Sequence, residues 1–184
     1  MGIPCIGAFH CQPENVSYNV HLKYLKPMNH ILYRWFRRRF YRHVDDIHCP
    51  TDFIAGQLTK HNYKSNLHVI TNGCDAAFAP KKVDKPDHLK GKFTILMVGR
   101  LSAEKRQDLI IKAALKSKYK DKIQLIFLGK GPKQKYYERI GRKLPHKPIF
   151  DYMSKQDLAD LYNQCDLYVH AAEVETREFV QLLI

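Results

Sequence analysis

Phe93-Thr94-Ile95-Leu96-Met97-Val98-Gly99-Arg100-Leu101-Ser102-Ala103-Glu104-Lys105-Arg106 decides the fold. Its first part, 93–98, is a short apolar run of the kind that forms a buried strand. Gly99 closes the run, and a glycine there lets backbone approach a ligand. Arg100 and Lys105 then stand at the carboxyl end of the strand and at the start of a helix expected over 103–118. Ligands of open α/β sheets bind at that edge. Helix amino termini favour anions, and an Arg and a Lys converging there suit a diphosphate. Taken alone, the stretch also fits a solvated basic helix start.

The rhythm continues toward the carboxyl end. The expected helix 103–118 turns Leu109, Ile110, Ala113 and Ala114 inward. Ile123 to Leu128 is a second buried strand, followed by Gly129-Lys130-Gly131-Pro132 and a helix over 133–144. This glycine loop is neither GxxxxGK[ST] nor GxGxxG, because Gln134 stands where a third glycine belongs. Pro148-Ile149-Phe150 is a short strand. Ser154 and Asp157 form a capping box for a helix over 155–164, and 167–170 is a strand. Strands alternating with helices imply parallel pairing through right-handed crossovers. Two ligand-type loops on successive parallel strands point to a nucleotide-type site.

The amino-terminal part reads less regularly. Cys5 to His10 is expected as a strand, and Pro13 breaks its continuation. Pro27 to Arg42 reads as a helix, with Leu25, Met28, Ile31, Leu32, Trp35, Phe36 and Phe40 at apolar spacing. Residues 45–50 look like a strand end. Thr51 caps a helix through Lys60 with Phe53, Ile54 and Leu58 inward. Residues 67–70 form a strand that stops at Thr71-Asn72-Gly73. Residues 79–92 hold two prolines and five lysines and read as exposed. The expected organisation is a first domain over 1–74, a linker over 75–92 and a second domain over 93–184.

Composition narrows the class. The 184 residues carry 31 Lys and Arg against 18 Asp and Glu, a formal charge of +13, and 45% are hydrophobic. That apolar content supports a packed core and excludes a disordered or collagen-like chain. No uninterrupted apolar run is long enough to span a membrane. Residues 1–8 lack the basic start of a signal peptide. Cys5, Cys11, Cys49, Cys74 and Cys165 show no CxxC spacing, so free thiols in a reducing cytosol are expected. Seven of the basic residues lie between His21 and Arg42, a segment without an acid. Charge of this kind fits nucleic acid, an anionic membrane or phosphorylated substrates.

The ordered motifs resemble a known family. Gly99-Arg100-Leu101 with Glu104-Lys105, Leu128-Gly129-Lys130-Gly131-Pro132, Leu158-Ala159-Asp160-Leu161-Tyr162 and Cys165-Asp166-Leu167-Tyr168-Val169 look like the donor half of retaining glycosyltransferases of family four, glycosyl transferases group 1. Gly7-Ala8-Phe9-His10, Cys49-Pro50-Thr51 and Val69-Ile70-Thr71-Asn72-Gly73-Cys74-Asp75 are similar to acceptor-domain segments of the same enzymes. The resemblance implies the GT-B architecture, in which two α/β Rossmann-like domains with parallel sheets face across a cleft. It also implies transfer of a sugar from a nucleoside-diphosphate sugar to a polysaccharide or lipid-linked acceptor in cell-envelope synthesis.

By that resemblance Arg100 and Lys105 grip the diphosphate and stabilise the leaving group without a metal. His10 sits near the reacting sugar, and Gly99, Gly129 and Gly131 pass close to the nucleotide. Glu175 and Glu178 are the candidates for the donor-site Glu pair, which is incomplete in every register of 173–184. A complete enzyme of this architecture needs roughly twice this length, so the chain is expected to be an internal fragment with both domains incomplete. The rival readings are an inactive remnant of such an enzyme and a basic nucleic-acid-binding domain. No zinc finger, RNP motif or helix-turn-helix supports the latter, so no nucleic acid is expected. The helix 27–42 has two readings: peripheral contact with an anionic membrane at the inner face of the cell, or an ordinary Rossmann-layer helix with its aromatics in the core. The expected location is cytoplasmic.

Overall fold

The structure is a computed structural model describing residues 3–19, 26–73 and 75–172. The chain divides into two compact units, one built within residues 1–73 and the other within 74–173.

The first unit is a three-stranded parallel sheet in the order β1-β2-β3, with β1 at Ile6–Ala8, β2 at Asp46–Cys49 and β3 at Asn66–Val69. Its register pairs Ala8 with His48 and His48 with His68. Strand alternation sends Phe9, Ile47 and Cys49 to one face. There they are buried with Tyr33, Ile54, Leu58 and Tyr63. Two helices supply that layer, α2 (Lys26–Arg39) and α3 (Asp52–Lys60); a short α1 (Pro13–Asn19) precedes them. The first strand is shorter than the expected Cys5–His10, ending at Ala8, and Pro13 opens α1, since the first helical turn needs no N–H from it.

Thr51 caps α3 as its sequence implied, its Oγ1 accepting from the Ile54 N–H at 3.3 Å. The inward set differs by one residue: Ile54 and Leu58 are buried, whereas Phe53 is exposed. The apolar arc expected for α2 also differs. Tyr33 is its buried residue, and Phe36 packs beside it. Ile31, Trp35 and Phe40 are exposed at 59%, 49% and 57%. Tyr33 wins the core position because its hydroxyl reaches a partner, donating to Glu14 Oε2 at 3.2 Å. Burial, then the Glu14 charge, push the Tyr33 pKa well up. The helix also stops at Arg39, with a 3-10 turn at Tyr41–His43.

The second unit is a four-stranded parallel sheet in the order β6-β5-β4-β7. The strands are β4 (Phe93–Val98), β5 (Ile123–Leu128), β6 (Ile149–Asp151) and β7 (Leu167–Tyr168). Every residue of β5 is buried, its apolar run interrupted by Gln124, whose Nε2 donates to Leu125 O and Lys147 O at 3.0 Å. Met97, Leu125 and Phe127 meet Ile110, Ile111 and Ala114 of α4 (Gln107–Lys116) and Tyr137 of α5 (Gln134–Gly141). On the other face Leu96, Ile126 and Leu128 meet Leu161 of α6 (Lys155–Gln164) and Leu89. Each of the Leu, Ile, Met and Phe side chains among these contributes roughly 1.5–3 kcal/mol by leaving water. Ser154 caps α6, accepting from the Asp157 N–H at 3.2 Å.

Residues 75–92 pack with this second unit: Leu89 is buried, and the Lys85 ammonium pairs with Asp166. Helix α4 starts one turn later than expected. A 3-10 turn at Ala103–Lys105 comes first, and Arg106 then takes φ 56°. The kink rotates the helix, so Ile110, Ile111 and Ala114 face inward while Leu109 and Ala113 are exposed. Helix α5 is shorter than expected. It stops at Gly141, where a Cβ would lie 2.7 Å from Pro148 Cγ.

Candidate functional site

The strand order sets the site. The chain builds β4, β5 and β6 in one direction, then crosses back over β4 to place β7 on its other side. The order therefore reverses beside β4. Ligands of open α/β sheets lie in the crevice outside the carboxyl ends of the strands at such a point. The stretch that leaves β4 at this point is Gly99 to Lys105.

Hydrogen bonds tie this loop to the one after β5. The Gly99 N–H donates to Leu128 O at 2.8 Å, Leu101 N–H to Lys130 O at 3.2 Å, and Lys133 N–H to Leu101 O at 2.9 Å. Gly129 N–H in turn donates to Asp151 O at 2.9 Å, so the loop edge continues to β6. This approach requires the glycines. A Cβ on Gly129 would lie 2.2 Å from Gly99 O, and one on Gly131 would lie 2.3 Å from Leu101 O. Gly99 and Gly129 also adopt φ 153° and 137°, which side chains disfavour. Backbone contact between the loops thus accounts for Gly129 and Gly131.

The loop is anchored from below. Leu101 is fully buried. Tyr137 donates its hydroxyl to Ser102 O at 2.8 Å, and burial, with the Asp108 and Glu104 charges, pushes its pKa up to about 12. Ser102 Oγ donates to Glu104 Oε1 at 2.5 Å. Gln107, wholly buried, donates from Nε2 to Arg100 O at 2.9 Å. Sequence reading missed Gln107 and Tyr137. Their polar atoms hold loop carbonyls, and nothing in helical spacing marks that.

The cations are presented from this scaffold. Arg100 is exposed. Lys105 is half-buried and folds back, its Cδ 4.0 Å from where a Gly99 Cβ would stand. Helices α4 and α5 begin without a capping side chain, unlike α3 and α6. In those first turns the Leu109 N–H donates to Arg106 O at 2.9 Å and the Gln134 N–H to Gly131 O at 3.3 Å, so donor capacity toward an anion rests with the other first-turn N–H groups. Lys130 lies over the exposed Tyr152 ring, 4.7 Å from its centroid, at the end of β6.

The structure gathers Gly99, Arg100, Lys105, Gly129 and Gly131 on the second unit. His10 belongs to the first unit and is exposed there, its ring 5.3 Å from that of His48. Glu175 and Glu178 lie outside the described residues. Among the described residues no three His, Cys, Asp or Glu side chains are grouped to hold a metal. No helix among them is long and apolar enough to cross a membrane. Two hollows of about 520 and 780 Å³ lie on the first unit and share Arg37, Arg38 and Asn62. Arg37 is engaged there, donating to His61 O at 2.7 Å at the end of α3.

Comparison with known proteins gives the family. The family model for glycosyl transferases group 1 matches residues 78–177, more than half of the chain. The chain belongs to the glycosyl transferases group 1 family. A second model, for glycosyltransferase family 4, matches residues 1–78.

Two curated relatives of this glycosyl transferases group 1 member carry names. The alpha-monoglucosyldiacylglycerol synthase of Streptococcus pneumoniae is 26% identical over 98% of this chain and 44% of its own length. The GDP-mannose-dependent alpha-mannosyltransferase of Corynebacterium glutamicum is 24% identical over 95% of this chain and 41% of its own. The chain thus spans less than half the length of these relatives. Among solved structures, Anabaena Alr3699/HepE in complex with UDP and glucose superposes with a TM-score of 0.68. It is 16% identical over 93% of this chain and 47% of that one. The fold is α/β with parallel sheets, of the GT-B type.

Proposed function

We propose that this chain supplies the donor-gripping part of a retaining glycosyltransferase. The enzyme would move a sugar from a nucleoside-diphosphate sugar to a polysaccharide or lipid-linked acceptor of the cell envelope. The carrying observation is the β4 loop at the strand-order reversal, which sets Gly99, Arg100 and Lys105 beside two uncapped helix starts. The names of the two curated relatives, a glucolipid synthase and a mannosyltransferase, support the same reading.

In this reading the diphosphate lies along the β4 and β5 loops. Arg100 and Lys105 offset its charge, and that charge grows as the sugar bond breaks. Two cations and the helix N–H groups supply that stabilisation without a metal. The rigid seam between the loops keeps the donors fixed, so little reorganisation accompanies the reaction. His10 contacts the reacting sugar or moves a proton there, and Glu175 and Glu178 hold the sugar. The enzyme works in the cytoplasm, where nucleotide sugars are at hand.

One observation favours peripheral membrane contact as well. Ile31, Trp35 and Phe40 are exposed among Arg34, Arg38, Arg39 and Arg42. An outward face of this kind suits an anionic lipid surface.

The test is calorimetric titration of the chain with UDP and GDP. Binding of one of them is expected, weakened about 10-fold or more in Arg100→Ala and in Lys105→Ala, as for loss of a charge-assisted contact. Wild-type affinity in both variants, or no binding of either nucleotide, overturns the proposal.

A further inference from the structure

We propose that His48 is the positioning residue for His10, an inference that rests on the reading of His10 as a group at the reacting sugar. Parallel register pairs Ala8 with His48. The ladder runs one step past β1, where the Phe9 N–H donates to His48 O at 3.0 Å. Alternation then puts His10, two residues beyond Ala8, on the same face as His48 and opposite the packed core. The two rings meet edge to face, at 64° and 5.3 Å between centroids.

His48 is itself held. Its Nε2 lies 2.6 Å from Ile70 O. A carbonyl only accepts, so Nε2 carries the proton and one tautomer is selected. Ile70 is fixed in turn, its N–H donating to Cys49 O at 3.0 Å. The carboxyl edges of three strands therefore fix one imidazole, and that imidazole forms a wall for the exposed ring of His10. Without the wall, the His10 side chain is free to leave its rotamer. A displacement of about 1 Å at a reacting group can cost on the order of 100-fold in rate.

The test uses two variants of the whole chain. His48→Gln keeps a donor for Ile70 and loses the ring. His48→Phe keeps a ring and loses the donor. Ring-nitrogen NMR of the wild type is expected to show His48 as the Nε2–H tautomer. The His10 ring signals should move in His48→Gln, while amide signals of the second unit stay in place. With a turned-over nucleotide sugar, kcat should fall about 10-fold or more in His48→Gln with donor KM unchanged, and less in His48→Phe. An Nδ1–H tautomer, unmoved His10 signals, or a raised KM at unchanged kcat overturns the proposal. A wild type that turns over no nucleotide sugar would remove the glycosyl-transfer reading instead, and the ring signals would still decide whether His48 holds His10.

Discussion

A Cβ on Gly131 would stand 2.3 Å from the Leu101 carbonyl oxygen and 2.7 Å from the Leu101 nitrogen. The two neighbours are backbone atoms of a buried residue, so neither can swing aside. Gly131→Ala must therefore push the β5 loop off the β4 loop, breaking the Leu101–Lys130 and Lys133–Leu101 hydrogen bonds. The expected loss is about 2–4 kcal/mol, read by urea unfolding of the second unit. Gly56 is the control. It sits inside α3 with nothing within 4 Å of its Cβ position. Gly56→Ala should stabilise the first unit by about 0.5–1 kcal/mol, because Gly loses more chain entropy in a helix. Similar effects at both sites would contradict the seam.

Arg106 adopts φ 56° at the entrance to α4, a conformation costing a non-glycine residue about 1 kcal/mol or more. Its guanidinium recovers part of this by pairing with Asp108, Nε to Oδ1 at 3.2 Å. That pair is partly solvated and is worth at most about 1 kcal/mol. Asp108 also keeps Lys112, at 2.8 Å. Arg106→Gly should thus raise the melting temperature of the second unit by a few degrees, about 0.5–1 kcal/mol. A fall in melting temperature would mean that the ion pair outweighs the backbone strain.

Much of this was legible beforehand, for a physical reason. The second unit has long apolar strands, and β4 and β5 appear where their apolar runs lie. The Ser154 and Thr51 caps were legible because a capping side chain binds its own helix three residues on. What escaped were choices made by tertiary contacts. The inward face of α2 belongs to Tyr33 because Glu14, distant in sequence, accepts its hydroxyl. The α4 start slips to Gln107 because Arg106 turns left-handed, which residue type does not announce. The glycines Gly129 and Gly131 were legible as loop glycines, but their neighbour is backbone of the preceding loop. The place of His48 beside His10 was not legible, because the pairing of β1 with β2 depends on register across some forty residues.

The Asp166 carboxylate links the two ends of the second unit. It accepts from the Thr94 N–H at 2.7 Å and pairs with the Lys85 ammonium. Burial pulls its pKa upward, but the Lys85 contact and the Thr94 N–H outweigh burial and hold it below the ordinary carboxylate value. A folded pKa below the unfolded one contributes stability above the unfolded value, about 3.9, and loses it as pH falls through the lower folded value. The urea midpoint of the second unit should therefore drop on going from about pH 6 to about pH 3. In Asp166→Asn it should start lower and drop less. A variant with the wild-type pH slope would show that other carboxylates carry the acid sensitivity.

Trp35 reports on the exposed face of α2, and it is the one tryptophan in the sequence. Its ring is 49% exposed and packs edge to face on Phe40 at 5.2 Å. Arg34, Arg38 and Arg39 of the same helix are exposed, whereas Arg37 is turned inward to the His61 and Asn62 carbonyls. Each outward arginine near an anionic surface contributes about 1 kcal/mol, and salt screens that attraction within a Debye length of about 10 Å at 0.1 M. Titration with phosphatidylglycerol vesicles at low salt should shift Trp35 emission to the blue, and added salt should reverse the shift. Arg34→Glu with Arg38→Glu should weaken it, while Lys116→Glu with Lys120→Glu, an equal charge change on the second unit, should leave most of it. An unshifted spectrum at low salt would remove the membrane reading. An equal shift with neutral phosphatidylcholine would assign the contact to the exposed Ile31, Trp35 and Phe40 rather than to the arginines.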